Sequence, residues 1–341
     1  MSQNASRNAN LDVVRILACC AVVCLHTVMR DRSLWEKGVY FASGFAVPAF
    51  FAASGYVLLN REGVDARYAA RKIGRLLCIA VGWNLLTCLL RLARDFSRGD
   101  FTLRYLLALP QALLGSLLQQ GGLSNFWYLG AAMLVYACLP LLVRLRGWLT
   151  RIWAALVCAG VLFMAASCVA GEPLQGRITQ TFRLWTWLQY FLLGGLLGGG
   201  ALPVPLRRLE RLGWKAHTLL LAVVTAAVVL WQCLLGKYLI HTLWAEHFYD
   251  SLSDILWLIV LFTWAMKLPL SAKAALRIRR LSSLTLGIYV THALVIQGIM
   301  RPLVAHAHGL ENSPTRFLGT LLFSALATWL LSKIPVLRKL V

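Results

Sequence analysis

Leu11-Asp12-Val-Val-Arg15-Ile-Leu-Ala-Cys-Cys-Ala-Val-Val-Cys-Leu-His26 is an apolar run long enough to enter a bilayer, yet it carries an arginine and a histidine eleven residues apart. Ionisable groups inside a membrane span are costly and mark function. On a helix, eleven residues advance roughly 16 Å and complete about three turns, so both side chains share one face. Arg15 falls near one membrane surface and His26 deep toward the other. That arrangement suits a long ligand lying along the helix, its charged end at Arg15 and its reactive end at His26.

The rest of the chain reads as membrane too. Of 341 residues 59% are apolar and 14% charged, against roughly 25% charged in soluble domains. Ten hydrophobic segments, most long enough for a roughly 30 Å hydrocarbon core, fall at 11–29, 39–59, 73–92, 126–143, 152–170, 184–200, 217–235, 252–266, 281–300 and 317–331. The eighth is short and the sixth is glycine-rich. The expected fold is all-α, a polytopic bundle of about ten transmembrane helices forming one integral-membrane domain over 1–341. The first segment is expected to be mature structure, because a signal peptide following Arg7 would not be interrupted by Arg15 and His26.

Lysine and arginine concentrate in alternate loops: Arg61 to Arg75, Arg144 to Arg151, Arg207 to Lys215, Lys267 to Arg280, and Lys333 to Lys339. Most acids fall in the others, at Asp31, Glu36, Asp95, Asp100, Glu172, Glu246, Asp250, Asp254 and Glu311. Cytoplasmic loops carry the basic excess, so both termini are expected inside. The net charge of +21 is thereby distributed between spans, and it argues against a nucleic-acid partner, which needs one continuous basic patch.

Nine cysteines lie in or beside apolar spans without metal-ligand spacing and read as small apolar fillers. No metal is expected: His241 and His247 with Glu246 do not have a zinc-hydrolase spacing, and His306-Ala-His308 offers two ligands only. The segment from Leu103 to Leu118, broken at Pro110, is too short for a clean crossing and reads as either interfacial or re-entrant. No second copy of the Arg15 and His26 arrangement occurs, which argues against a transporter of two repeated halves.

Four patches, in order, carry a family resemblance: Leu11-Asp12-Val-Val-Arg15 followed by His26; Phe50-Phe51-Ala-Ala-Ser54-Gly55-Tyr56; Phe126-Trp127-Tyr128-Leu129; and Ser283-Leu-Thr-Leu-Gly287-Ile288-Tyr289-Val-Thr-His292. Together they resemble the acyltransferase-3 family of integral-membrane acyltransferases, in its small single-domain O-acetyltransferase branch. The resemblance implies transfer of an acyl group, most often acetyl from cytoplasmic acetyl-coenzyme A, to an envelope carbohydrate or lipid-linked glycan, in the inner membrane and with no bound cofactor. It also implies that Arg15 and His26 are the essential pair. The family's Arg-x-x-Arg at the start of the third span is matched by Lys72-Ile-Gly-Arg75, with Arg71 adjacent; lysine keeps the charge but lacks the bidentate fork. The Ser-x-x-x-Glu pattern of many relatives is absent beside the fourth span.

The chemistry of the residues agrees. The phosphates of coenzyme A call for a cationic site, which Arg15, Arg71, Lys72 and Arg75 supply, with Asp12 three residues before Arg15 as its orienting ion-pair partner. His26 is the candidate general base for a sugar hydroxyl attacking a thioester. His292, three residues after Tyr289, would orient His26, contact the acceptor, or simply hold the bundle together. Ser54, with Gly55, reads as a packing position more than as a nucleophile. Trp127, Tyr128, Trp185, Trp187, Trp244 and Tyr249 lie near the outer boundary as sugar-stacking or interfacial aromatics. A permease or sensing module, or a succinyltransferase, is the alternative reading.

Overall fold

The computed structural model describes residues 8–99, 103–201, 208–306 and 311–341. Arg7, Asp100, Arg207 and His308 lie outside the described residues, whose regular structure is all helical with no strand.

Thirteen helices carry the architecture: α1 (Ala9–Thr27), α2 (Leu34–Ala42), α3 (Ala46–Leu58), α4 (Ala66–Phe96), α5 (Leu109–Leu117), α6 (Trp127–Arg144), α7 (Leu149–Ala170), α8 (Leu184–Gly198), α9 (Trp214–Tyr238), α10 (Leu252–Met266), α11 (Ala272–Ser282), α12 (Thr285–Val295) and α13 (Ser313–Lys333). After α12 the chain passes through a π-helical turn at Ile296–Met300 before Arg301–His306.

Eight segments are long and apolar enough to cross a membrane: α1, α2 with α3, α4, α6, α7, α9, α12 with its extension, and α13. The other two of the ten expected segments form α8 and α10, of 15 residues each, about 22 Å at 1.5 Å per residue. Ten residues of each are buried, so these two short helices are enclosed by protein. At the other extreme, α13 exposes Leu318, Leu322, Leu326 and Leu330, a one-sided apolar stripe at helical spacing that faces lipid. Its opposite side buries Thr320, Ser324 and Thr328, small residues suited to close helix contact in a bilayer.

Sequence explains the closest contact, between α3 and α8. A Cβ on Gly55 would stand 1.8 Å from the Phe191 carbonyl oxygen, and one on Gly194 would stand 1.8 Å from that of Ala52. Only glycine permits such an approach. The glycine-rich stretch and the Ser54-Gly55 step are thus packing devices.

Helix α1 lies inside the bundle against α3, α10, α11, α12 and α13. Asn8 caps it by accepting from the Asn10 and Leu11 amides, and Asn10 Nδ2 donates to the Ala265 and Leu268 carbonyls at 2.8 and 3.0 Å. These bonds fix how deep α1 sits beside α10. The 103–118 segment forms one turn at Arg104–Leu107 and then α5, with Pro110 in its first turn where proline is tolerated. It lies against α4 and α6, and only Ser116 is buried.

Basic loops gather at one end of the bundle. Arg146 donates to the Arg61 carbonyl at 2.7 Å, and Lys267 to the Leu212 carbonyl at 2.6 Å. These loops form the basic end of the bundle.

Candidate active site

Asp12, fully buried, accepts from Arg15 Nη1 at 3.0 Å and from the Ser282 hydroxyl at 2.8 Å. The expected ion pair therefore exists, with α11 bonded to its acidic member. Arg15 stays partly exposed and lies within electrostatic range of Tyr128 and Tyr136, whose hydroxyls both stand close to Ser54. Ser54 thus neighbours two phenols.

The other three basic candidates divide. Arg71 and Lys72 stand 6.0 and 5.5 Å from the Tyr68 ring centroid, and Arg61 stands 5.2 Å from it. Arg75 is exposed on α4 outside this cluster. Tyr68, absent from the sequence-based candidates, organises the cationic mouth; Asp65, capping α4 by accepting from the Tyr68 amide at 2.7 Å, holds it in place.

At the far end of α1, His26 lines a cavity of about 330 Å³ together with Tyr128, Tyr289, Asn125, Trp127 and Trp244. His26 is exposed to that cavity although it sits deep in the chain's interior. The His292 ring lies 5.0 Å away, centroid to centroid, tilted by 42°. Only a nitrogen that carries a proton can bond a carbonyl, so the 2.6 Å contact from His292 Nδ1 to the Tyr289 oxygen fixes the His292 tautomer. Nε2 is left as the lone-pair nitrogen, buried and without a partner. Asn125 closes the arrangement: its Nδ2 donates to the same Tyr289 carbonyl at 3.3 Å, and its own carbonyl accepts from the Tyr289 hydroxyl. Asn125 Oδ1 is buried and unpartnered.

The cavity's opposite wall is the loop carrying Trp244, Glu246 and Tyr249. It is held against α8 and the turn before it by bonds from Tyr190 to the Tyr249 carbonyl (2.6 Å), Thr186 to Asp250 (2.6 Å) and Arg183 to the Glu246 carbonyl (3.3 Å). Burial raises the Glu246 carboxyl above its usual range, with Arg183 opposing. Burial pushes the His247 imidazole down to about 4, and the nearby Arg183 charge adds to the fall.

Of the six aromatics, Trp127, Tyr128, Trp244 and Tyr249 line the cavity. Trp187 does not: it is fully buried, stacked 4.9 Å from Phe51, with its Nε1 donating to the Gln180 carbonyl. It belongs to the core. Trp185 likewise is engaged, donating to Asp250 at 3.1 Å. Sequence reasoning missed Asn125, Gln119, Gln180 and Glu246 as cavity residues. Asn125 carried a faint signal, standing directly before the Phe126-Trp127-Tyr128 patch.

Fold and site together define a multi-pass membrane protein that holds an arginine and a histidine pair inside its bundle. The chain belongs to the acyltransferase-3 family, whose profile, described as an acyltransferase domain, matches residues 8–333. It is a membrane acyltransferase, and the permease or sensing reading falls with that assignment. Neither the curated proteins nor the solved structures include a significant match to the chain.

Proposed function

We propose that the protein is an inner-membrane O-acyltransferase that takes a short acyl group, acetyl in the first instance, from cytoplasmic acyl-coenzyme A and places it on a hydroxyl of an envelope carbohydrate or lipid-linked glycan. The ten helical segments all cross in this reading, α8 and α10 inside the bundle, with both termini and the basic end in the cytoplasm, where positive loops belong.

One residue carries the proposal. Tyr128 lies near Arg15 and Ser54 on one side and lines the His26 cavity on the other, so the arginine and the histidine face a common polar seam. The donor's phosphates rest in the field of Arg61, Arg71 and Lys72 around Tyr68, with Arg75 further out on α4. Arg15, oriented by Asp12, binds where the nucleotide portion meets the pantetheine arm. The arm then runs about 16 Å along α1 and presents its thioester to His26.

His26 accepts the proton of the acceptor hydroxyl as that oxygen attacks the thioester carbonyl carbon. The tetrahedral intermediate collapses with cleavage of the carbon–sulfur bond, and the departing thiolate takes the proton from His26, leaving an ester and free coenzyme A. His292 positions His26: with Nδ1–H committed to Tyr289, its Nε2 lone pair favours one orientation of the neighbouring imidazole. Trp127, Trp244 and the carboxyl and amide groups of Glu246, Gln119 and Gln180 form the acceptor's side of the cavity. Aromatic faces with hydrogen-bonding groups around them suit a sugar ring.

The test is coenzyme A release from acetyl- and succinyl-coenzyme A alongside calorimetric donor binding, using purified protein. Arg15→Ala is expected to weaken donor binding, and His26→Ala to keep binding while losing turnover by about 10²- to 10⁴-fold. Failure of the folded wild-type protein to bind either thioester overturns the donor assignment.

A further inference from the structure

A second cavity, of about 710 Å³, is larger than the one that holds His26. It lies between the C-terminal half of α4, the face of α5, and the start of the π-helical turn after α12. Its position in the membrane follows from α4. Arg91 on its wall is nineteen residues beyond Lys72, about 28 Å along the helix at 1.5 Å per residue, or roughly one hydrocarbon thickness. The cavity therefore sits at the boundary opposite the basic mouth.

Its lining is amphipathic. Arg91 and Arg94, three residues apart on one face of α4, supply two guanidinium groups. Arg94 is shared with Asp95 at 3.2 Å, whereas among the described residues Arg91 has no carboxylate within 4.0 Å. The Arg91 guanidinium instead reaches Gly122, standing 3.0 Å from where a Cβ would be. The remaining lining includes Leu90 and Leu109, and exposed Leu89, Leu107 and Leu114 continue the apolar surface outward. Two guanidinium groups, the neutral polar side chains of Asn84, Thr87, Gln111, Gln120 and Gln297, and an apolar rim give the site both an anion-binding part and an apolar exit. That combination fits a phosphate on a hydrocarbon chain.

The two cavities share one partition. Along the loop from Gln119 to Asn125, Gln119, Ser124 and Asn125 line the His26 cavity, while Gln120 to Leu123 line the larger one. Left-handed backbone at Gln119 and Gly121, with φ of 65° and 74°, turns the chain between the two faces.

We propose that the larger cavity seats the phosphate or diphosphate of a lipid-linked acceptor, with Arg91 and Arg94 on the phosphate, the hydrocarbon chain leaving past Leu90 and Leu107 into the bilayer, and the attached glycan reaching over the 119–125 loop to His26. This rests on the acyl-transfer reading and narrows its acceptor to a lipid phosphate ester. A bulk phospholipid would not need the shared partition; a substrate with its reacting hydroxyl beyond the phosphate does.

Full-length protein in detergent is titrated with farnesyl phosphate, farnesol and inorganic phosphate, with acetyl-coenzyme A binding measured on the same preparation. Farnesyl phosphate is expected to bind well above either half alone. Arg91→Gln with Arg94→Gln is expected to weaken it about ten- to hundredfold, the scale of charge-assisted hydrogen bonds. Ala112→Trp, which fills the cavity without removing charge, is expected to weaken it as well and serves if the arginine variant does not fold. Equal binding of farnesol, binding unchanged in both variants, or displacement by excess phosphatidylglycerol overturns the proposal. Intact acetyl-coenzyme A binding with no farnesyl phosphate binding sinks this inference alone, whereas loss of the former sinks the donor reading.

Discussion

At the basic mouth three cations stand around one tyrosine, all contributed by a single stretch of fifteen residues from Arg61 to Arg75. The His26 cavity draws its lining from α1, α2, α3, α6, α12 and three separate loops. Binding a polyanion requires only a field, and a field tolerates mobile, solvated side chains. Moving a proton requires atoms fixed to within fractions of an ångström, so the reacting end needs many buried supports: the Tyr289, Asn125 and His292 bonds, the anchored 244–250 loop, and the glycine contacts of α3 with α8. Substitutions at the cavity should accordingly cost far more than substitutions at the mouth.

The largest effect is expected at Gly194→Ala. A methyl group there meets the Ala52 carbonyl oxygen at 1.8 Å, which neither backbone can avoid while α3 and α8 keep their spacing. Overpacking of this kind costs about 3 kcal/mol or more, and detergent-solubilised protein should elute as aggregate in size-exclusion chromatography. Normal elution and melting would show that the two helices separate readily, and would weaken the contrast with the mouth.

Next comes His292→Ala. It removes the donor to Tyr289 and the lone pair beside His26, leaving Asn125 to hold the Tyr289 carbonyl. A positioning role predicts kcat down about ten- to hundredfold with the KM for acetyl-coenzyme A unchanged, scaled from the loss of one well-placed active-site group. Glutamine offers an N–H for Tyr289 and an oxygen for His26, so His292→Gln should recover part of the rate. A purely structural histidine would instead lower melting temperature and leave kcat per folded molecule as it was.

The fold was legible because membrane helices announce themselves in composition. The first span singled out its own two candidates, since Arg15 and His26 stand out against apolar neighbours, and the Asp12 partner of Arg15 followed from helix spacing. All ten apolar segments are built of helix, the second of them broken between α2 and α3 at residues 43–45; α8 and α10, the two short ones, are shielded by protein, and a shielded helix need not match the bilayer. The neighbours of His26 were only partly readable. His292 showed as a histidine in a span, but Asn125, Gln119 and Glu246 are ordinary loop residues until the 119–125 and 244–250 loops fold around one cavity. Trp187 misled for the same reason: an aromatic near a boundary looks like a sugar platform until Phe51 is seen to cover it.

Acid should distinguish the two ends. His247 bonds Thr242 at 2.7 Å within the loop that walls the cavity, and burial lowers its imidazole from 6.5 to about 4. The unfolded loop therefore takes up a proton more readily than the folded one. Stability from this group is full above about pH 6.5 and falls as pH drops toward 4, by about 1.4 kcal/mol for each unit once below the unfolded value. Glu246 and Asp250, whose carboxyls burial raises, pull the other way as pH falls and are common to both proteins, so between pH 7.5 and 5.5 hydrogen exchange should show 240–250 losing more protection in the unaltered protein than in His247→Gln, with Arg61 to Arg75 unchanged. An identical pH response of 240–250 in the two proteins would refute it.

The smallest effects belong to the mouth. Arg71→Gln or Lys72→Gln removes one exposed charge of several, and exposed charge contacts contribute about 0.2 to 1 kcal/mol, a few-fold in acetyl-coenzyme A affinity. Because the contribution is a screened field, the pair of changes should act nearly additively and the wild-type advantage should shrink between low salt and about 0.15 M, where the Debye length is about 8 Å. Arg15 departs from this pattern: partly shielded and oriented by a buried carboxylate, it should lose more affinity on truncation and respond less to salt. A uniform salt response at all three positions would mean that Arg15 belongs with the mouth, and that the boundary between field and fixed geometry lies closer to His26 than the ion pair implies.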